Sequence, residues 1–173
     1  MAVTQQLARI PAEHLAFCHK SAGESPDGDP HWDPPTEDVL DLDWAPALLE
    51  RVCELGGLDD VHLNALRHST EGDTAIDLGF LNTHPHAIGP FGPAPTALPA
   101  AQVARVSKLL WQIDLPALLT ALPTEETEAV SLIGGPALIV GGLRKYLLDH
   151  FDALREFYHD ASQRRLLVVL WWD

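Results

Sequence analysis

The sequence predicts an α+β fold that is rich in helix, with a small mixed β-sheet packed by a long C-terminal amphipathic helix. Apolar residues recur at helical spacing over residues 142–162, which indicates that helix. The chain then closes with RLLVVLWW (165–172), whose β-branched and aromatic content is typical of a strand covered on both faces. We expect this strand to pair with an N-terminal strand over residues 3–10, because pairing would satisfy the backbone groups of both.

A helix and a long loop follow the first strand. The helix is predicted from Pro11 to Lys20, with Leu15 and Cys18 on its buried face. Residues 21–38, SAGESPDGDPHWDPPTED, contain four prolines and two glycines, which prevent regular structure from propagating. We expect part of this acidic, proline-rich loop to be mobile, with Trp32 packed onto the body of the protein.

Two further helices are predicted before the middle of the chain. Asp43 is the expected cap of the first, and Gly56–Gly57 ends it. Asp59 or Asp60 caps the second, which is expected to fray near Ser69. The buried face of this second helix is expected to carry Val61, Ala65 and Leu66.

The second half of the chain begins with irregular segments. Residues 75–81, AIDLGFL, fit a strand or a buried helical turn equally well. Residues 83–99 are predicted to be loop, because they contain five prolines and two glycines. Pro99 opens a helix, and another is predicted over residues 115–122. The buried stripe of the final helix consists of Leu143, Leu147, Phe151, Leu154, Tyr158 and Ala161.

Length and composition predict one domain over residues 1–173. No apolar run approaches the roughly 20 residues that a membrane span needs. The N-terminal sequence MAVTQQLARI lacks the basic start and apolar stretch of a secretion signal. We therefore expect a cytoplasmic protein in which Cys18 and Cys53 are reduced.

Charge is the strongest bulk signal, since 25 Asp and Glu against 11 Lys and Arg give a net charge of −14. Residues 21–43 contain eight of these acids and neither Lys nor Arg. Such a surface repels phosphate backbones and anionic lipid headgroups, so we expect neither nucleic acid nor a membrane as partner. The acid excess either serves solubility or matches a basic partner protein.

Several short patterns recur in an order that suggests a known family. They are Leu-Asp-Leu-Asp-Trp at 40–44, Gly89-Pro90, Leu-Pro-Ala-Ala-Gln-Val at 98–103, Phe-Asp-Ala-Leu-Arg-Glu-Phe-Tyr at 151–158, and the closing strand. In this order the chain resembles the YfbM-like family, a bacterial domain of unknown function. The resemblance implies an α+β fold with a small mixed sheet. It implies no established activity and assigns no functional residue.

The proline-rich loop 83–99 is the predicted place for a ligand pocket, because long ordered loops often carry function. The candidate pocket residues are His84, His86, Phe91, Phe80 and Trp111. The aromatic side chains of this set could instead belong to the core.

The candidate metal ligands of this sequence occur mostly in pairs. His84 and His86 are close in sequence, as are His31 and Asp33, but zinc needs three or four converging ligands. The acids of Asp27–Asp29 with Asp33 lack the ligand order of an EF-hand. We therefore expect no metal and no other cofactor.

Two helix-based patterns have both a functional and a structural interpretation. His14 and Cys18 are four residues apart, so they share a helix face and could form an activated thiolate or a partly buried thiol beside a histidine. We favour the thiol, since no third orienting group is evident. Gly141–Gly142, with Arg144 and Lys145, could receive an anion on free N–H groups or simply form a tight turn.

Three functions are compatible with these features. We favour a non-catalytic binding or protein-interaction module, with an immunity-like role towards a basic partner as one form. The alternative is a small hydrolase that uses His84 or His86 with a carboxylate such as Asp33 or Asp77. The third is a homodimer with a structural role, in which Trp171–Trp172 would otherwise form an exposed strand edge.

Overall fold

The helices and strands follow the predicted α+β order. The computed structural model describes residues 3–83, 85, 87–136 and 139–173. The elements are β1 Gln5–Ile10, α1 Ala12–Glu24, β2 Val39–Asp43, α2 Ala45–Leu55, α3 Asp60–Glu71, β3 Thr96–Leu98, α4 Ala100–Leu110, α5 Leu115–Leu119, α6 Glu126–Ile133, α7 Leu143–Gln163 and β4 Leu167–Trp172. Short 3-10 turns occupy Thr36–Asp38 and Gly79–Leu81.

The terminal strands pair as predicted and form the centre of the sheet. In the described part of the chain the strand order is β2-β1-β4-β3. The register of β1 and β4 runs from Gln5 opposite Trp172 to Ile10 opposite Leu167. Each of the three pairings is antiparallel, so the expected mixed sheet is instead antiparallel. β4 lies between β1 and β3, but its pairing with β3 ends at Leu170, so Trp171–Trp172 is paired on the β1 side of the described ladder, and the homodimer hypothesis stays a prediction.

Both faces of the sheet are covered, as the continuous apolar run of β4 predicts. Successive side chains of a strand point to opposite faces. One face carries the larger core cluster, in which Leu7 and Leu170 meet residues of α2 to α7. The other face carries a smaller cluster, in which Ile10 and Val169 meet Leu15 of α1.

The long helix α7 buries the predicted stripe. Leu143, Leu147, Phe151, Leu154, Tyr158 and Ala161 are each at most 1% exposed. The Tyr158 hydroxyl donates a hydrogen bond of 2.9 Å to the Ser69 carbonyl oxygen, so its polar group is satisfied in the core. This stripe supplies the largest side chains between α7 and the sheet, and it fixes the helix on that face.

Two strands and one helix lie where the sequence predicts none. The segment 40–44, expected to lead into a helix, belongs largely to β2, and Asp43 ends that strand at a φ of +52°. Asp43 therefore does not cap α2, and its carboxylate accepts a hydrogen bond of 3.0 Å from the Tyr146 hydroxyl. β3 lies inside the predicted loop 83–99, and α6 follows α5. The strands escape prediction because they are short and depend on distant partners.

Some helix ends also differ from the prediction. α1 continues past Lys20 to Glu24, and α3 continues past Ser69 to Glu71. Asp59 is the cap of α3, since its carboxylate accepts hydrogen bonds from two backbone N–H groups. Val61 was placed wrongly on the buried face, because it is 55% exposed. Among the described residues, none of the helices has the length and apolar character needed to cross a membrane.

Candidate functional site

A cleft opens between helix α1 and the acidic loop that follows it. We call it the α1 cleft, and its volume is about 560 Å³. It combines aromatic rings with carboxylates, which are the groups that recognise cationic side chains. Its lining consists of His14, Phe17, Asp29, Pro30, His31, Trp32, Asp33 and Ile88.

Ring contacts hold the loop against the body of the protein. Trp32 meets Trp171 of β4 edge-on, with ring centroids 5.9 Å apart. On its other side the indole lies 5.8 Å from the His14 ring. The prediction that Trp32 packs onto the body is therefore confirmed, and this packing places the loop beside α1.

Local turns shape the acidic loop around Trp32. The Asp29 carboxylate accepts a hydrogen bond of 2.7 Å from the backbone N–H of His31, whose φ is +52°. The His31 Nε2 atom lies 3.9 Å from Asp29 Oδ2, so the predicted pair of His31 with Asp33 is replaced by a pair with Asp29. These contacts hold the Asp29 carboxylate beside His31, and both residues line the cleft together with Asp33.

Phe17 gives the α1 cleft an apolar surface open to solvent. Its side chain is 55% exposed, and its ring centroid lies 6.4 Å from that of His14, one helical turn away. Sequence reasoning missed this residue. The available signal was its position on α1 outside the buried stripe of Leu15 and Cys18, where a large aromatic side chain has no core to join.

The positive charges of the protein are largely neutralised by its own acids. Of the 11 Lys and Arg residues, at least eight make ion pairs with carboxylates in the described part of the chain. Neither Lys nor Arg occurs between Ser21 and Glu50, the segment that supplies Asp29 and Asp33. The α1 cleft therefore receives no Lys or Arg side chain from its own loop.

The predicted contact between His14 and Cys18 is present, since Cys18 Sγ lies 3.6 Å from His14 Nε2. Cys18 is buried, and burial raises the pKa of its thiol. Burial likewise raises the pKa of the Cys53 thiol, to about 12. A thiol whose pKa is raised stays protonated at neutral pH and is a poor nucleophile. The geometry therefore supports the structural interpretation of this pair.

Both cysteines are expected to react slowly with thiol reagents in the folded protein. At pH 8 a pKa of 12 reduces the thiolate fraction roughly a thousandfold relative to an ordinary cysteine. Reaction with a disulfide reagent, followed by absorbance, should be at least ~100-fold slower in the native than in the urea-unfolded chain. A native rate close to the unfolded rate would show that one thiol is activated.

Of the described residues of the pocket predicted at the 83–99 loop, Phe80 and Trp111 lie on opposite sides of the sheet. Phe80 meets the His19 ring edge-on at 4.9 Å on the α1 side of the sheet. Trp111 lies at the end of α4, on the other side, with the Arg155 guanidinium 4.5 Å from its ring centroid. Phe91 is 43% exposed and joins neither group.

The two histidines of this candidate pocket, His84 and His86, lie outside the described residues. The hydrolase hypothesis that depends on them stays a prediction. Of its two carboxylates, Asp33 lines the α1 cleft, whereas Asp77 accepts a hydrogen bond of 2.9 Å from the backbone N–H of Gly79.

The sequence also offered candidate metal ligands and a candidate anion site at Gly141–Gly142. Within the described ranges, no group of three or more His, Cys, Asp or Glu side chains could hold a metal ion. At the start of α7, the Glu126 carboxylate accepts a hydrogen bond from the backbone N–H of Leu143 and lies 3.8 Å from Arg144. A carboxylate of the chain itself thus takes the place proposed for an anion.

No protein-family model matches the chain, and neither does any curated protein or solved structure. Membership of the YfbM-like family therefore stays a prediction. Function is inferred from the α1 cleft and the charges around it.

Proposed function

We propose that the protein is a non-catalytic interaction module that binds a basic partner protein through the α1 cleft. The observation that carries this proposal is the exposed Phe17 ring in a cleft that also presents Trp32 and the carboxylates of Asp29 and Asp33. An immunity-like role, in which the protein covers a basic surface of its partner, is one form of this function. The resemblance to the YfbM-like family adds no activity to it.

The chemistry of the cleft fits a lysine or arginine side chain. Such a side chain places its charge near a carboxylate and its alkyl part against an aromatic ring. Interfaces concentrate their binding free energy in a few aromatic and Arg anchors, which pack in desolvated pockets. Phe17 and Trp32 would form the apolar part of this contact, and Asp29 and Asp33 its charged rim.

The net charge of the whole protein supports the same partner. A field from a charge of −14 accelerates the encounter with a cationic protein, and this steering falls steeply with ionic strength. Because the cations of the chain are mostly paired internally, the excess negative charge stays available on the surface. Binding is therefore expected to be strong at low salt and weak at high salt.

Replacing the contact residues should weaken capture of the partner. The test is a pull-down from cell lysate at low and high salt with the native protein and with the triple variant Phe17→Ala, Asp29→Asn, Asp33→Asn. We expect a basic protein that is retained at low salt and released at high salt. The triple variant should bind it at least ~10-fold more weakly. It lacks the aromatic ring that the partner would bury on binding, and it lacks two charge contacts.

A matched control separates the cleft from net charge. The double variant Asp60→Asn, Glu128→Gln removes the same two charges at exposed positions of α3 and α6. It should bind within about threefold of the native protein, because long-range steering alone changes little. The proposal fails if nothing is retained at low salt, or if the control loses as much binding as the triple variant.

A further inference from the structure

A second cavity lies where the start of β1, the end of β4 and the C-terminal end of α3 meet. We call it the Gln5 cavity, and its volume is about 340 Å³. This is within the range of small-molecule sites, which run from about 300 to 1,000 Å³. Its lining includes Gln5, Glu50, Glu71, Leu170, Trp171 and Trp172, and it shares no residue with that of the α1 cleft.

Gln5 contributes a hydrogen-bond acceptor that the protein does not use. Its side chain is almost completely buried, with the residue 2% exposed. The amide nitrogen donates to the Thr70 carbonyl oxygen. Because a carbonyl oxygen only accepts, this contact fixes which end of the amide is the nitrogen. Among the described residues the other atom, Oε1, has no hydrogen-bond partner.

A buried acceptor without a donor is rare in folded proteins and is costly. On the same face of β1, Leu7 is fully buried in the core and Arg9 pairs with Asp38, so Gln5 shares this face with one apolar and one charged residue. A leucine in its place would leave no unpartnered side-chain oxygen, but it would take away the donor to the Thr70 carbonyl oxygen. A donor that enters the cavity from outside would supply the hydrogen bond that Oε1 lacks.

The charges around the cavity favour a cation. The carboxylates of Glu50 and Glu71 belong to its lining, and among the described lining residues none is Lys, Arg or His. Glu50 is already paired with Arg67 at 2.6 Å. Glu71 is the last residue of α3, and the C-terminal end of a helix carries partial negative charge that stabilises cations.

Apart from Thr70 and Thr96, the remaining walls are apolar. Leu170, Trp171 and Trp172 of β4 line the cavity, together with Pro46 and Pro93. These surfaces favour contact with an alkyl chain over contact with a polar group of a ligand. A ligand that fits this cavity donates a hydrogen bond to Gln5 Oε1, carries a positive charge near the carboxylates, and places a short hydrocarbon chain against the apolar walls.

We propose that the Gln5 cavity binds a protonated primary amine on a short alkyl chain. The ammonium group donates to Gln5 Oε1, and Glu71 with the end of α3 balances its charge. A free aliphatic amine and a lysine side chain share this chemistry. The site does not depend on the α1 cleft, so either proposal can fail without the other.

Calorimetric titration with two probes tests the site and distinguishes the two sources. The probes are 1,5-diaminopentane, which is a free amine, and Nα-acetyl-lysine amide, which represents a lysine side chain. Saturable binding of either supports the proposal, and the probe that binds more tightly identifies the source. 1,5-Pentanediol has the same chain without charge and should bind at least ~10-fold more weakly than the diamine.

Variants assign the binding to the cavity. Gln5→Leu should weaken binding of the diamine at least ~10-fold, because the ammonium loses its buried acceptor. Glu71→Gln changes an exposed side chain and should weaken binding ~3-fold or more. Glu128→Gln is the control with the same change in charge, and it should leave binding unchanged. Thermal unfolding of each variant checks that it is folded.

Three results would overturn the proposal. The first is no saturable binding of either amine by the native protein, which would mean that water alone satisfies Gln5. The second is equally tight binding of the uncharged diol. The third is equal weakening by Glu71→Gln and Glu128→Gln, which would assign the effect to net charge.

Discussion

Phe151→Ala is expected to lower the free energy of unfolding by about 3–5 kcal/mol. Phe151 lies in the middle of the buried stripe of α7 and is 1% exposed. Removing its ring takes away a large apolar contact surface and leaves a cavity, because packed neighbours relax only partly. Urea unfolding followed by circular dichroism measures the change.

An exposed apolar residue provides the control for this prediction. Leu132 of α6 is 47% exposed, so Leu132→Ala should change the free energy of unfolding by no more than about 0.5 kcal/mol. A loss below about 1 kcal/mol for Phe151→Ala would show that α7 is not packed on the sheet as described.

The second large effect is expected at Asp38, which joins three parts of the fold. Its carboxylate accepts hydrogen bonds from Arg9 Nε of β1 at 2.8 Å and from Arg164 Nη1 and Nη2 at 2.6 and 3.1 Å. The side chains of Asp38 and Arg9 are both largely buried, with 9% and 15% of their surface exposed. Removing the carboxylate therefore takes from a largely buried guanidinium its nearest carboxylate, at 2.8 Å, and leaves that of Asp160 at 3.4 Å.

Asp38→Asn should lower the free energy of unfolding by about 2–3 kcal/mol at pH 7. Hydrogen bonds to charged groups contribute more to the free energy of unfolding than those between neutral groups. Because Arg9 is largely buried, water cannot readily replace the lost acceptor. Asp149→Asn removes an exposed partner of Lys145 on α7 and should cost less than about 0.5 kcal/mol. Equal effects of the two substitutions would contradict the buried network.

The contribution of Asp38 is also expected to depend on pH. The hydrogen bond from Arg164, and then that from Arg9, lower the pKa of Asp38 in the folded protein. A lowered folded pKa means that this stability is fully present above the unfolded pKa of about 3.9. It is lost as the pH falls through the lower, folded pKa. The difference between native protein and Asp38→Asn should thus be constant near neutral pH and shrink below about pH 4; a difference that is the same at pH 7 and pH 3 would refute this.

The fold was predictable where local spacing and tertiary packing agree. The stripe from Leu143 to Ala161 repeats at the helical period over five turns, and β4 is apolar on both faces because both are covered. β3 has three residues in a proline-rich segment, and it becomes a strand through its pairing with β4 and the bridge of Ala97 to Asp73. In β2 the alternation of leucine and aspartate was present, but the following Trp-Ala-Pro favoured the start of a helix.

The candidate sites were less predictable, because they depend on contacts between distant segments. The contact of His14 with Cys18 follows from the helical period alone. The α1 cleft forms only because Trp32 packs on Trp171, which is far away in sequence. The Gln5 cavity joins both ends of the chain with the end of α3, so no local pattern could indicate it.

The claim that the α1 cleft recognises cationic side chains can be measured directly by NMR. An acetylated peptide of alternating Arg and Ala, which has no primary amine to enter the Gln5 cavity, is titrated into ¹⁵N-labelled protein. At low salt we predict shift changes concentrated on α1, residues 27–33 and the Trp32 indole N–H, and their disappearance at about 0.3 M salt. Changes spread evenly over the acidic surface, or centred on α7 instead, would contradict the claim.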